Sequence, residues 1–527
     1  MNILIFLLIS YVLLSVSLYL LFQKAGVSAV KGLVPGVNFV EWAKLIGRKP
    51  IYCLWLLFPI VNIFIFVGMA VDLARSFGRT GFGDAALSVI YAPAMFFWLA
   101  NDKTKKYSGP VLTQEKSYLT QIQEARAAGD KYKLEKLLTE NPYKKSVIRE
   151  WTESIIFAVF AASFIRMFLF EAFVIPTGSM EGSLKVGDFL FVSKMHYGIR
   201  TPMTVAMVPL VHNRLPFFDG ESYLTKPSLP YRRLPAIQQV QVGKPFVFNW
   251  PAGDSIYLTR SRSWAASQTV HDPSCMIQDP ELAVKVKKNE LIVRPLDKKD
   301  HYIKRCVAGP GDTLQIIDKQ IYLNGKAVEN PKHMQFSYIA QLPSNINKKK
   351  LDEWGIDIRE LYRTGTLSLD AEQYEKLKNL SPGIRIEDVP FNAEPAKLFP
   401  NDPKHFNQWS VNDYGPIWIP KKGATVDINL ENIALYTRII GTYENNDLKI
   451  ENGQILINGV PATQYTFKQD YYWAMGDNRH NSEDSRMWGF VPHDHVVGKP
   501  ILIWFSTKYG SIKNGINWNR IFKYAGD

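Results

Sequence analysis

Apolar residues gather in long runs before residue 171 and in short alternations after it. Residues 2–22 (NILIFLLISYVLLSVSLYLLF) carry no charge. A spanning helix needs roughly 20 apolar residues, so this run predicts one. A cleaved leader is the other reading, but no basic residue precedes the run and it is too long. Residues 51–70 form a second uncharged run of spanning length. Residues 85–100 form a third, shorter and interrupted by Pro93; it either spans, re-enters or lies at the interface. Residues 154–170 form a fourth, with Arg166 near its far end, where a long cationic side chain reaches headgroups. Residues 101–152 are basic and rich in helix formers, which predicts a solvated helical hairpin.

From about residue 173 the pattern changes. Short alternating or β-branched runs (DFLFVSKM, KPFVFNW, HYIKRCVA, QIYLNG, QILING, KPILIWF) are separated by Gly, Pro, Asn and Asp. They predict a mainly antiparallel β domain. Residues 314–325 (LQIIDKQIYLNG) and 448–459 (LKIENGQILING) agree at six of twelve positions, each reading as strand, turn, strand and Asn-Gly turn. The match continues upstream at equal spacing, Tyr302 with Tyr436 and Lys304 with Arg438. Shared turn chemistry or duplication of a hairpin explains it. Residues 330–435, between the copies, read as an insertion with helical patches and no chemistry of their own.

Charge adds topology. Residues 23–50 and 101–152 are rich in Lys and Arg, whereas 71–84 carry only Arg75 and Arg79. The excess of positive charge on cytoplasmic loops places both basic loops inside and everything after about residue 171 outside. The chain has 527 residues and a formal charge of +13, which suits a membrane surface or nucleic acid without choosing between them. Its basic stretches lack the regular aromatic spacing of a single-strand binder. Three cysteines exclude a disulfide-dense scaffold and a four-cysteine zinc site. His493-Asp494-His495 lacks a third metal ligand nearby, and no H-E-x-x-H or Walker motif is present.

Three short motifs carry chemistry. Ile175-Pro176-Thr177-Gly178-Ser179-Met180 sets a serine just beyond the fourth apolar run, outside any G-x-S-x-G elbow. His301-Tyr302-Ile303-Lys304-Arg305 reads as a strand, with Tyr302 and Lys304 on one face. Burial lowers a lysine's pKa and makes it a usable base, although most strand lysines keep their heads in water. A polar run from Met475 to Arg486 follows an aromatic strand; there Asp484 and Arg486 can pair. Each motif alone also fits an ordinary turn, strand or loop.

In this order, after a membrane helix, the three resemble bacterial type I signal peptidase. The residues that carry the resemblance are 176–180, Y-I-K-R at 302–305 with G-P-G-D at 309–312, and G-D-N-R-H-N-S-E-D-S-R-M-W-G-F-V-P at 476–492. The long insertion and His480 are similar to the Bacteroidetes branch. The resemblance implies an all-β peptidase domain on the outer, periplasmic face of the cytoplasmic membrane, held by several N-terminal spans. It would cut signal peptides from exported preproteins near the secretion translocon, against membrane lipid, with no nucleic acid, metal or organic cofactor. Ser179 would be the nucleophile and Lys304 the general base. The Ser179 N–H and Thr177 hydroxyl would hold the oxyanion, and Ser482 would orient Lys304. Asp484 and Arg486, with Asp477 and Arg305, would form the supporting ion-pair network. Phe173, Ile175, Met180, Leu184 and Tyr302 would line pockets for small side chains, giving Ala-x-Ala specificity. A signal-peptide or lipid-binding module without catalysis is the rival reading.

The expected organisation is a membrane region over 1–100 with two or three helices, a basic loop over 101–152 and a transmembrane helix over 153–172. The β domain then occupies 173–329 and 436–527, around the 330–435 insertion. The chain departs from the family pattern at Gly182-Ser183 before Leu184, at Ala474, and at Val242-Gly243-Lys244-Pro245, which stands where Arg-Gly-Asp is common. These departures bear on pocket shape and leave the Ser and Lys in place.

Overall fold

The computed structural model describes residues 3–57, 61–144, 147–211, 213–215, 220–344, 346–390 and 395–526. The chain forms two compact units, residues 1–157 and 158–527.

The first unit is helical: α1 (Ile3–Lys24), α2 (Val37–Ile46), α3 (Val61–Ser76), α4 (Phe82–Asn101), α5 (Val111–Ala127), α6 (Lys131–Thr139) and the start of α7 (Val147–Phe168). The apolar stretch expected to span over 51–70 is divided. A 3₁₀ segment covers Pro50–Leu57, α3 starts at Val61, and residues 58–60 lie outside the described residues. The basic 23–50 segment is more than a loop, because α2 buries Trp42, Ala43 and Ile46 in a core with Phe22, Leu73 and Phe96. Pro93 lies within α4, where Tyr91 leaves helical geometry (φ −155°, ψ 87°). Proline removes a helical hydrogen bond and clashes with the preceding turn, which accounts for the kink. Among the described residues, two helices are long and apolar enough to cross a membrane: Phe82–Asn101 and the 150–168 part of α7. Ile155, Ile156, Phe157 and Phe160 of α7 are exposed, as lipid-facing residues would be.

The second unit is built on an antiparallel sheet. Its strands are β1 (Phe170–Val174), β2 (Asp188–Ser193), β3 (Pro245–Asn249), β4 (His301–Ala308), β5 (Tyr471–Met475), β6 (Val491–Pro492), β7 (Val496–Ser506) and β8 (Lys523–Tyr524). The spatial order is β1-β2-β7-β3-β4-β5-β6, with β8 on β7. β1 follows α7 almost without a break. There the Glu171 carboxylate takes Lys194 at 2.7 Å and Arg166 at 3.0 Å. Arg166 is therefore engaged by a carboxylate. Burial pushes the Glu171 carboxyl up, but Lys194, His301 and Arg166 outweigh this and hold it at about 2.

The two repeated segments fold alike. Leu314 pairs with Leu323 and Leu448 with Ile457, and a short third strand follows each (Lys326–Ala327 and Val460–Pro461). Asn324 and Asn458 adopt left-handed φ of 52° and 53°, and each side-chain oxygen accepts from the backbone N–H opening its hairpin. The upstream part of the match does not persist: Tyr302 and Lys304 lie on β4, whereas Tyr436 lies within a short helix (Ile433–Thr437) and Arg438 opens a π-helical turn. Within the expected insertion, residues 336–390 have a small three-stranded sheet and their own core around Leu351, Leu367, Leu369 and Leu377.

Candidate active site

Ser179 sits in a single 3₁₀ turn (Gly178–Met180) between β1 and β2. Two backbone bonds fasten the turn's root, from Ile175 N to Asp188 O (2.9 Å) and from Gly187 N to Ile175 O (3.0 Å). The loop after β5 grips it from the other side, Asn478 N donating to the Ser179 carbonyl (3.1 Å). Gly476 makes that approach possible: a Cβ there would strike the Ser179 carbonyl and Ser482 Oγ.

Lys304 is only 4% exposed, on β4, opposite Phe246 of β3. Its Nζ donates to Ser179 Oγ at 2.7 Å and to the Ile303 carbonyl at 3.1 Å. The alternation of β4 separates its neighbours. Ile303 packs with Ile175, Met180 and Leu184, whereas Tyr302 packs with Phe248, Trp250 and Trp488. The Tyr302 ring stacks on Trp250 (5.3 Å between centroids), and its centroid is 5.5 Å from Lys304 Nζ. This apolar shell disfavours the ammonium and brings Lys304 from 10.5 down to about 8, against the opposing pull of Asp484, Glu483 and Asp477.

Two buried ion pairs brace the strands. Arg305 meets Asp477 through two bonds (2.8 and 2.7 Å), and the Ser183 hydroxyl donates to the same carboxylate (2.6 Å). Arg486 meets Asp484 likewise (2.9 and 2.8 Å), while Gly476 N donates to Asp484 (3.1 Å). Burial pushes the Asp484 carboxyl up, yet the Arg486 guanidinium keeps it below its ordinary value.

A cleft of about 1120 Å³ opens over Ser179 and Lys304. Thr177, Ile175, Met180, Tyr302 and Ser482 line it too. Leu184 is buried in the packing beneath, and Phe173 lies against the His301 ring (5.0 Å), so neither lines this cleft. Ser482 Oγ is buried beside the Asp484 carboxylate, which it helps hold below its ordinary value, and Lys304 bonds elsewhere. Sequence reasoning missed Trp250 and Trp488, which wall the cleft, and Ser183 on Asp477. It also missed the cleft face of the insertion, where Lys397 to Asn401 and Val411 are lining residues. Cys275 and Cys306 are both free and buried, in separate cores. His493 and His495 are engaged by Tyr472 (3.1 Å) and by Asp494 and Lys299 (2.6 and 3.0 Å). Among the described residues no group of three or more His, Cys, Asp or Glu side chains forms a metal cluster.

A model of the family described as "Signal peptidase, peptidase S26" matches residues 148–360 and 419–505, more than half of the chain. The chain belongs to the S26 family of signal peptidases. It is a serine peptidase, a hydrolase. Among curated proteins, S26 relatives named "Signal peptidase I" match along most of its length. The one from Buchnera aphidicola (subsp. Schizaphis graminum) is 26% identical over 407 residues, 74% of this chain and 84% of the relative. That from Pseudomonas aeruginosa is 23% identical over 389 residues, 72% and 80% of the two chains. That from Haemophilus influenzae is 25% identical over 391 residues, 74% and 78%. A second model, of a family of unknown function (DUF5684), matches residues 30–110. The S26 match leaves out residues 361–418, and with them Lys397 to Asn401 on the cleft wall.

Proposed function

We propose that this S26 peptidase cleaves signal peptides from exported preproteins through a dyad of Ser179 and Lys304. The observation that carries the reading is the 2.7 Å bond between a serine hydroxyl and a lysine amine that is almost completely buried. A serine is inert until a base takes its proton, and a lysine serves as that base only when neutral. Neutral Lys304 accepts the Ser179 Oγ proton as Oγ bonds to the scissile carbonyl carbon. The C–N bond then breaks, and Lys304 returns the proton to the leaving amine. Water hydrolyses the acyl-enzyme with Lys304 again as base.

The Ser179 N–H and the Thr177 hydroxyl hold the developing oxyanion; losing one such donor typically costs about 10²–10³-fold in rate. Ser482 takes up its orienting bond to Lys304 as substrate excludes water. Asp477 with Arg305, and Asp484 with Arg486, hold the loop after β5 against the serine turn. Ile175, Met180 and Tyr302 shape the pocket for small side chains before the cut, with Phe173 and Leu184 supporting it from outside the cleft, and this favours Ala-x-Ala. The chain sits in the cytoplasmic membrane with several spans, its β unit on the outer face near the translocon, where the apolar segment of a preprotein is still held in lipid.

The test is cleavage of a preprotein bearing an Ala-x-Ala site by detergent-solubilised wild type, Ser179→Ala and Lys304→Met, with the product's N-terminus sequenced. Cutting after the second Ala by wild type alone is expected. Cutting that survives both substitutions refutes the dyad. Binding of preprotein without cutting by any of the three refutes catalysis in favour of a capture module.

A further inference from the structure

The cleft extends well past the dyad. Its lining starts at Ile175 beside β1, passes Lys304 on β4 and reaches Phe399 and Met487 beside β5. β1 lies at one end of the sheet and is continuous with α7; β5 lies near the other end. On the reading given above, a substrate anchored in lipid enters from the β1 end, and the residues following the cut leave toward β5.

The wall there comes from two segments. One is residues 397–401, outside the family match. It is pinned to the catalytic sheet by Phe399, whose N–H donates to the Arg486 carbonyl (2.8 Å) and whose ring packs on Phe490 and Trp473 (5.5 and 6.0 Å). The other is the short helix Ala266–His271 with Asp272 after it. Lys397 Nζ and Asp272 Oδ1, 3.3 Å apart, join these walls, and both residues line the cleft. Their side chains are 36% and 25% exposed, so the pair is weak enough to exchange partners. If it opens, Asp272 keeps the Ser274 hydroxyl and N–H. Arg262 and Arg438 line this half too, each already paired with a carboxylate, Glu483 (2.7 Å) and Asp254 (2.8 Å), so Lys397, held by a longer and partly exposed pair, is the cation most open to exchange.

We propose that Lys397 is a specificity-determining residue for the mature side of the substrate, selecting chains with a carboxylate side chain within the first few residues after the cut. The incoming carboxylate takes the place of Asp272 on Lys397 and holds the mature segment along the wall that the insertion supplies. The inference rests on the peptidase reading and adds a second determinant to small residues before the cut.

The test uses the full chain in detergent and three preproteins identical except for Asp, Asn or Lys at the second position after an Ala-x-Ala site. Wild type, Lys397→Gln and Lys397→Glu are compared. Wild type is expected to favour Asp over Asn by about threefold in kcat/KM, mainly through KM, the size of a partly exposed ion pair. Lys397→Gln removes the preference and Lys397→Glu turns it toward Lys. Indifference of wild type to the three residues, or an Asp preference that survives Lys397→Glu, overturns the inference while the dyad reading stands. No cutting of any preprotein by wild type overturns both.

Discussion

Replacing Tyr302 with Ala tests whether burial fits Lys304 for the base role proposed above. The Tyr302 ring, stacked on Trp250, closes one side of the pocket around Lys304 Nζ. Lys304 stands at about 8 instead of 10.5, a difference of about 3 kcal/mol between its two protonation states. At pH 7 this leaves about a tenth of the side chain neutral, roughly 300 times more than an ordinary lysine provides. Without the ring, water reaches the ammonium and the pKa climbs back toward 10.5. A rise of about 1 lowers kcat/KM at pH 7 about tenfold and leaves it near wild type at pH 10. The assay is kcat/KM against pH with an internally quenched peptide in detergent micelles, since the acid limb reports the free enzyme's base. Wild type should rise with pH through about 8, and Tyr302→Ala should rise later. A loss of equal size at every pH, with the acid limb unmoved, would refute the reasoning and leave Tyr302 a packing residue only.

Lys304→Met should stabilise the fold by up to about 3 kcal/mol at pH 7 while abolishing turnover. Between about pH 8 and 10.5 the unfolded lysine holds a proton that the folded one has lost, so wild-type stability rises with pH across that window and the gain from Met disappears above it; denaturant melts at pH 7 and 10.5 check this. Asp477→Asn leaves Arg305 buried beside a neutral partner and should cost about 3–5 kcal/mol in the same melts. Gly476→Ala drives a methyl group into the Ser179 carbonyl and should lower kcat by about 10²-fold, read by rate with circular dichroism as the check on folding.

The closeness of Ser179 and Lys304, on which the proposed dyad rests, was legible because their surroundings are local. Ser179 follows the last apolar run within a few residues, and the strand pattern at 301–305 fixes which side chains share a face with Lys304. The loop after β5 was legible as motif because its ion pair between Asp484 and Arg486 is two residues long. The cleft wall was not: residues 397–401 reach it through one backbone bond to Arg486 and a ring packed on Phe490, and neither leaves a period in the sequence. Leu184 misled for a related reason, because a leucine lining a cleft and one buried beneath it read alike. Lys304 and Arg438 matched by spacing, but spacing carries no register once the chain leaves a hairpin. Arg438 instead ties Pro251 and Asp254 to the helix it follows.

The order of strands also decides how the two halves of the sheet are joined. β7, the third strand in the sheet and partner of both β2 and β3, begins at Val496, close to the end of the chain. The serine turn hangs from β1 and β2, and the lysine from β4 beside β3, so β7 joins the half that carries one reactive group to the half that carries the other. Within the sheet, the serine half and the lysine half are therefore joined by backbone pairing through β7, and across the cleft by the Arg305–Asp477–Ser183 bridge.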